Sequence, residues 1–247
     1  MLEEETETEN ESIGNDEPTP GDTPPTETPP ANTPPTAGSC TEPSNFVFNE
    51  KDGLVLVEFE NAVFAAPWRL KTDGSSHSGE GYMVWEGQQN LGNPGTGLVT
   101  FKIKIENTGT YQFLWSSAVK TGNNGTDHND TWLRFNDASD FYARNREGTS
   151  TVYPKDTGKT PNPEGASKDG WFKIYRSGND LDFKWQASTF DNNAHDIFID
   201  FDTPGTYTME ISARSSGHGI DKFALFGTSL NKEDATSSTT FSAITCN

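Results

Sequence analysis

The sequence predicts an all-β fold: a β-sandwich of the jelly-roll kind with long loops, preceded by a disordered acidic and Thr/Pro-rich tail. Three observations predict it. Apolar and polar residues alternate with a period of two in segment after segment, as half-buried strands require. No run of ten or more residues holds a 3.6-residue period with capping residues at its ends. Aromatics are plentiful, with 16 Phe, 6 Trp and 6 Tyr against 3 Met, which suits pleated surfaces.

Residues 1–44 read as tail and linker, and 45–247 as one sandwich domain. LEEETETENES is an acidic run with one apolar residue, too little hydrophobic surface to offset its ordering entropy. PTPGDTPPTETPPANTPPT repeats a Thr-Pro-Pro motif and favours extended polyproline II. The first 43 residues hold 9 of the 15 prolines and 11 of the 37 acids, with no Lys or Arg. Removing those 11 charges from the net −19 leaves −8 for the remainder, a mildly acidic domain. No basic stripe is present to neutralise phosphates, which argues against a nucleic-acid partner. No stretch reaches the roughly 20 apolar residues of a membrane helix.

Leu54–Ala62 (LVLVEFENA) opens the series of strands. Its Glu58 and Glu60 are two apart, so they point from one face of such a strand. Trp85 sits inside a strand pattern, and Leu98–Ile105 alternates cleanly, with Val99, Phe101, Ile103 and Ile105 on one face. Gly109 turns the chain into Tyr111, Phe113 and Trp115, whose alternation assigns Trp115 to the core. Trp132–Phe135, Trp171–Tyr175, Leu181–Trp185 and Ile197–Phe201 continue the series. Thr206–Ala213 alternates again, Ser215–Gly219 is a polar turn, and Ile220–Phe226 is a mostly apolar strand that admits one acid, Asp221. Two long polar loops, 116–130 and 136–170, separate these strands, and loops of that length are usually functional or disordered.

An acid at the start of a core strand needs a partner, because burying an unpaired carboxylate is costly. Glu58 and Glu60 on one face, close to Asp221 from a neighbouring strand, suit a hard cation such as calcium with its oxygen ligands. A general acid and base at Glu58 and Glu60 is the competing assignment. No Gly-x-Ser-x-Gly elbow appears, and His77, His128, His195 and His218 lack zinc-type spacing. Cys40 and Cys246 bracket the domain and can meet if its first and last strands are neighbours; two unpaired thiols in flexible ends are the alternative. Asp127-His128-Asn129-Asp130 reads as a turn, a ligand-bonding loop or a second cation loop.

The ordered set, Glu-x-Glu on an early strand and Ile220-Asp221 near the end, resembles carbohydrate-binding module families 6 and 35 and their malectin-like relatives over roughly 54–227. The resemblance implies a β-sandwich whose first and last strands are tied by a structural calcium, here at Glu58, Glu60 and Asp221. It also implies a glycan site among the loops at one end. That site takes an aromatic after the first strand, a Trp near the later strands and an Asn before the final Ile-Asp. Tyr82 in GEGYMVW and Trp185 in DFKWQAS stand at the first two positions, while Gly219 replaces the Asn, with His218 beside it as substitute donor. Trp171, Trp68 and Asn129, next to loops, complete the candidate set, since flat aromatics suit the apolar faces of sugar rings. The acidic run also resembles the export tags of Bacteroidetes surface lipoproteins, which implies an outer-surface lipid anchor upstream. The expectation is a monomeric, non-catalytic polysaccharide-binding protein, secreted or on a bacterial cell surface. A β-glucan is preferred, because a net −8 domain would repel sulfated or uronic chains unless Arg134, Arg144 and Arg146 converge. A glycoside hydrolase or polysaccharide lyase acting through the acidic pairs is the alternative.

Overall fold

The computed structural model describes residues 40–247. The acidic run and the Thr-Pro-Pro repeats, expected as a disordered tail, lie outside the described residues. Period-two patterning becomes strands nearly throughout. The first half of the chain supplies β1 Phe46–Asn49, β2 Leu54–Glu58, β3 Trp68–Lys71, β4 Tyr82–Trp85, β5 Val99–Ile105 and β6 Gly109–Val119. Then come β7 Asp130–Phe135, β8 Asp140–Arg144, β9 Thr151–Val152, β10 Phe172–Tyr175 and β11 Lys184–Trp185. β12 Ser188–Thr189, β13 His195–Phe201, β14 Gly205–Ser212, β15 His218–Gly227 and β16 Ile244–Cys246 complete the set. One short helix, α1 Lys232–Ser237, starts at Asn231, whose side chain accepts from the Asp234 N–H.

The strands form one hydrogen-bonded sheet in the order β16-β1-β5-β14-β7-β10-β12-β13-β6-β15-β4-β3, with β2 beside β15, β11 beside β6 and β8 beside β13. β12, paired with both β10 and β13, joins the two halves of the sheet, which curls so that they face each other across the core. Phe101 of β5, in one half, meets Phe223 of β15, in the other, with ring centroids 5.2 Å apart. Phe59 wedges between them at 5.5 and 5.3 Å. Each such buried side chain contributes about 1.5–3 kcal/mol of hydrophobic stabilisation. β5 and β13 alternate buried and accessible residues as expected, whereas the central strands β6 and β15 are buried on both faces over most of their length.

The ends of the domain meet twice: β1 pairs with β16, and β2 with β15. Cys40 and Cys246 are bonded, with Cα atoms 5.4 Å apart across 206 positions of chain. In the chain-entropy account such a closure contributes on the order of 5 kcal/mol.

Several expectations need correction: the 116–130 loop gives its first four residues to β6, and the polar turn expected over 215–219 stops at Gly217, because β15 begins at His218. Leu54–Ala62 is not one strand, because the chain leaves β2 at Glu58 and makes a 3-10 turn over Phe59–Asn61. Leu181–Trp185 shrinks to the two residues of β11, where only Lys184 and Trp185 pair in register with Ser117 and Ser116 of β6. The 136–170 stretch carries β8 and β9. β8 sends Phe141 and Ala143 into the core from a strand with polar ends that hide the period.

Candidate functional site

Two regions gather chemistry-bearing side chains. The first is an acidic corner. β15 pairs with β4 through Gly219 and Ile220 and with β2 from Lys222 onward, and its register with β6 shifts between Ile220 and Lys222. Asp221 is the bulged residue at that junction, and bulges re-aim side chains. Glu60 stands in the 3-10 turn, so it does not share a strand face with Glu58. The turn nonetheless brings it back to the same corner. A Cβ on Gly79 (φ +62°) would lie 2.1 Å from Glu60 Oε1 and 3.2 Å from Glu58 Cδ, so the close approach requires glycine. On either side of Gly79, Ser78 N–H donates to Asp221 Oδ1 at 3.0 Å and Glu80 N–H to Glu60 Oε1 at 2.9 Å.

This corner is short of positive charge. Lys222 Nζ lies 3.7 Å from Asp221 Oδ2 and also donates to Ser78 Oγ. Both Glu58 oxygens, Glu60 Oε2 and Asp221 Oδ2 are buried without a hydrogen-bond partner. Desolvation, reinforced by the charge of Asp221, pushes the Glu58 carboxyl up to about 8. Desolvation also raises Glu60 to about 7, against the backbone N–H groups that favour its charged form. Asp221 is raised by desolvation, with Lys222 opposing. Among the described residues no three acidic, His or Cys side chains are already drawn up as a metal-ligand cage. An all-oxygen donor set with unpartnered oxygens is nonetheless what a hard divalent cation takes.

The predicted aromatic residues do not converge. Trp68, expected in a loop, is in β3 and buried, edge-on to Trp85 at 5.4 Å and Phe64 at 5.2 Å, with its indole N–H donated to Gly97 O at 2.8 Å. Tyr82 is 1 % exposed. Its Oη donates to Asp73 Oδ1 at 2.7 Å, and the Lys120 ammonium sits 4.7 Å from the ring centre. It forms part of a smaller cleft of about 450 Å³. Phe183, at 5.1 Å, meets Tyr82, whereas half-buried Trp185 lies beside the acidic corner with Lys222 Nζ 5.9 Å from its ring. Trp171 is buried beneath the Arg134 guanidinium, 4.5 Å away. These rings offer no shared open platform.

His218 is corrected from surface donor to core residue. It is fully buried, 2.8 Å from Thr131 Oγ1 through Nδ1 and 5.3 Å from the Trp115 ring, and desolvation holds its pKa down to about 3. Asn129, by contrast, lines a larger cleft, where its amide donates to Arg176 O and its own carbonyl accepts from Arg176 N–H at 3.0 Å.

That cleft, about 860 Å³, is the second region. β7 and β10 turn Leu133, Phe135, Phe172 and Ile174 into the core, which leaves Asp130, Trp132, Lys173 and Tyr175 on the opposite face. Register sets Tyr175 opposite Asp130 and Lys173 opposite Trp132, a two-by-two block of charge and ring. Arg214 lies over Trp132 at 5.1 Å and bonds Asp130 through Nη1, while Ser215 Oγ also donates to Asp130. Lys173 repeats the pattern, 5.6 Å from the Tyr175 ring and bonded to Asp191. Tyr175 Oη donates to Phe190 O at 3.3 Å, and burial, with Asp191 and Asp196 adding, pushes its pKa up to about 12.

Loops wall this floor: Gln89 and Leu91 on one side, the 126–129 segment and Asp191–Ala194 on others. Three non-glycine residues in these loops take left-handed backbone, His128 (φ 54°), Phe190 (φ 65°) and Asn192 (φ 62°). For a phenylalanine that conformation is strained, and such strain clusters at ligand-binding sites. Sequence reasoning missed Lys173, Tyr175, Asp191 and Arg214. The available signal was a lysine inside the otherwise apolar WFKIY. Glu58 and Glu60 line neither cleft.

No family model and no curated protein matches the chain. Among solved structures, the GH26-CBM35 β-(1,4)-mannanase of Podospora anserina is similar at TM-score 0.41 and 15% identity, over 73% of this chain and 29% of that one. The isomalto-dextranase of Arthrobacter globiformis T6, complexed with panose, is similar at TM-score 0.37 and 14% identity, over 71% and 24%. The chain thus spans under a third of the length of either. Likeness at this level assigns no activity to this chain.

Proposed function

We propose that this chain is a non-catalytic polysaccharide-binding domain, with the larger cleft as its glycan site and a calcium ion as a structural clamp. The observation that carries the reading is the cleft itself. Its volume of about 860 Å³ falls within the range of small-molecule sites, about 300–1,000 Å³. Its floor is a fixed array of polar groups rather than an apolar pocket, which suits a ligand covered in hydroxyls. The carboxylates of that floor, Asp130 and Asp191, are each bonded to a cation, and Asp127 accepts from the Asn124 amide. Of the acids lining it only Asp127 is without a cation, so no second free carboxylate faces it across the cleft, as glycoside hydrolysis requires.

Glu58, Glu60 and Asp221 would hold the calcium, whose charge would offset three crowded carboxylates and tie β2 to β15 and to the 78–80 loop. A shallow polar site of this kind binds in the micromolar to millimolar range. The disulfide supports an oxidising, extracellular compartment. A monomer, secreted or held at a cell surface by an upstream lipid anchor, completes the proposal, with β-glucan as the first ligand to try.

Affinity electrophoresis of the full chain through gels containing β-glucan, mannan, xylan or pectin tests it. Retardation by at least one polymer, reduced in a Gln89→Ala/Asp127→Ala variant of the exposed cleft wall, is the expected result. No retardation by any of them contradicts the reading.

A further inference from the structure

The charges lining the larger cleft are unusual in being spent on one another. Arg214 is held between Asp130 and the Trp132 ring, and Lys173 between Asp191 and the Tyr175 ring. Asp130 takes a further hydrogen bond from Ser215, and Arg214 Nε, which has no partner, is buried out of reach of solvent. In the second pair the carboxylate lies outward: the Lys173 side chain is 8% exposed and that of Asp191 34%. A ligand approaching the floor therefore meets carboxylate before ammonium. The remaining lining charge, Asp127, is also negative and exposed.

We propose that this cleft selects neutral glycans and rejects anionic ones, and that the Lys173–Asp191 pair is the specificity determinant. The proposal rests on the glycan reading of the cleft and adds the class of chain it admits. A uronate or sulfate placed over the floor finds no free cation. To gain one it would have to displace Asp191 from Lys173, exchanging one ion pair for another with nothing won. Against Asp127, whose side chain has a neutral amide and no cation beside it, it also meets like charge. A neutral sugar meets no such opposition. Its hydroxyls donate to the outward oxygens of Asp191 and Asp127 without breaking either pair, and the Asn129 carboxamide, already bonded to Arg176 O, stays fixed beside them. The preference is thus written in the pairing of charges, not in their net sum.

The test compares each neutral polymer with its carboxymethylated derivative, so that the backbone is matched and only charge differs. Wild-type full chain is expected to be retarded by at least one neutral polymer and markedly less by its carboxymethylated form. Asp191→Asn frees Lys173 and should move the anionic-to-neutral retardation ratio about fivefold toward the anionic form, the scale of one exposed ion pair. That gain should fade between about 0.05 M and about 0.5 M salt, where screening shortens the Debye length. Adding Lys173→Gln to Asp191→Asn should abolish it. Asp191→Ser, read in the same gels, serves if the amide variant does not fold. Equal retardation of wild type by both forms, or an unmoved ratio in a folded Asp191 variant, overturns the inference and leaves the glycan reading standing. Retardation by no polymer at all overturns both.

Discussion

The acidic corner and the floor of the larger cleft both bury carboxylates, and they treat the charge in opposite ways. In the cleft both floor acids have their cation: buried Asp130 has Arg214 and half-buried Asp191 has Lys173. In the corner Lys222 pairs with Asp221 alone of the three acids, and four of their oxygens have no hydrogen-bond partner. A group whose charges are matched needs no counter-ion and can act as a rigid hydrogen-bonding surface. An unmatched one carries a desolvation cost that a bound cation would offset. The difference separates what the fold needs for itself from what it offers to a ligand.

Removing an acid should therefore have opposite consequences in the two places. Asp130→Ala strands Arg214, whose side chain is only 15% exposed, and should destabilise the domain by about 3 kcal/mol in a urea melt. Glu58→Gln should stabilise the chelated protein at pH 8, by about 1 kcal/mol or more, because it removes a charge that folding has to neutralise. An equal loss of stability in both variants would break the comparison.

A third carboxylate extends it. Buried Glu50 accepts from the Gly53, Glu106 and Asn107 N–H groups and from the Asn107 amide. Glu50→Ala leaves those donors without their acceptor and should cost about 2 kcal/mol. These hydrogen bonds outweigh the desolvation that opposes them and hold the Glu50 pKa below its usual 4.5. Its contribution is therefore complete above pH 4.5 and is lost as pH falls through the lowered folded value. Glu58 in chelator has the reverse slope, since the folded state binds the extra proton: stability falls as pH rises from 4.5 through about 8. Melts of wild type and Glu50→Gln from pH 3 to pH 5, and of wild type and Glu58→Gln from pH 5 to pH 8, should each converge at the end where the carboxylate contributes nothing.

How much of this was legible in the sequence follows from the same physics. Half-buried strands print their burial on the chain, so β5, β13 and β14 could be read from alternation alone. β9, β11 and β12 have two residues each, too few to show any period. The acidic residues stood out because Asp221 interrupts an otherwise apolar strand, although the 3-10 turn that carries Glu60 leaves no such trace. The aromatic residues misled for a different reason. A tryptophan beside a loop looks the same whether its indole faces a sugar or, like Trp68, a backbone carbonyl. What covers Tyr82 and Trp171 is Lys120 and Arg134, 38 and 37 positions away along the chain. The cleft pairs were equally hidden, with 84 positions between Asp130 and Arg214.

Calcium titration into chelator-stripped full chain, followed by calorimetry and by melting, probes the unmatched corner most directly. One bound equivalent and a Tm that rises by about 5–10 °C near saturation are expected, with both effects lost in Asp221→Asn. No heat of binding and an unchanged Tm in wild type would contradict it.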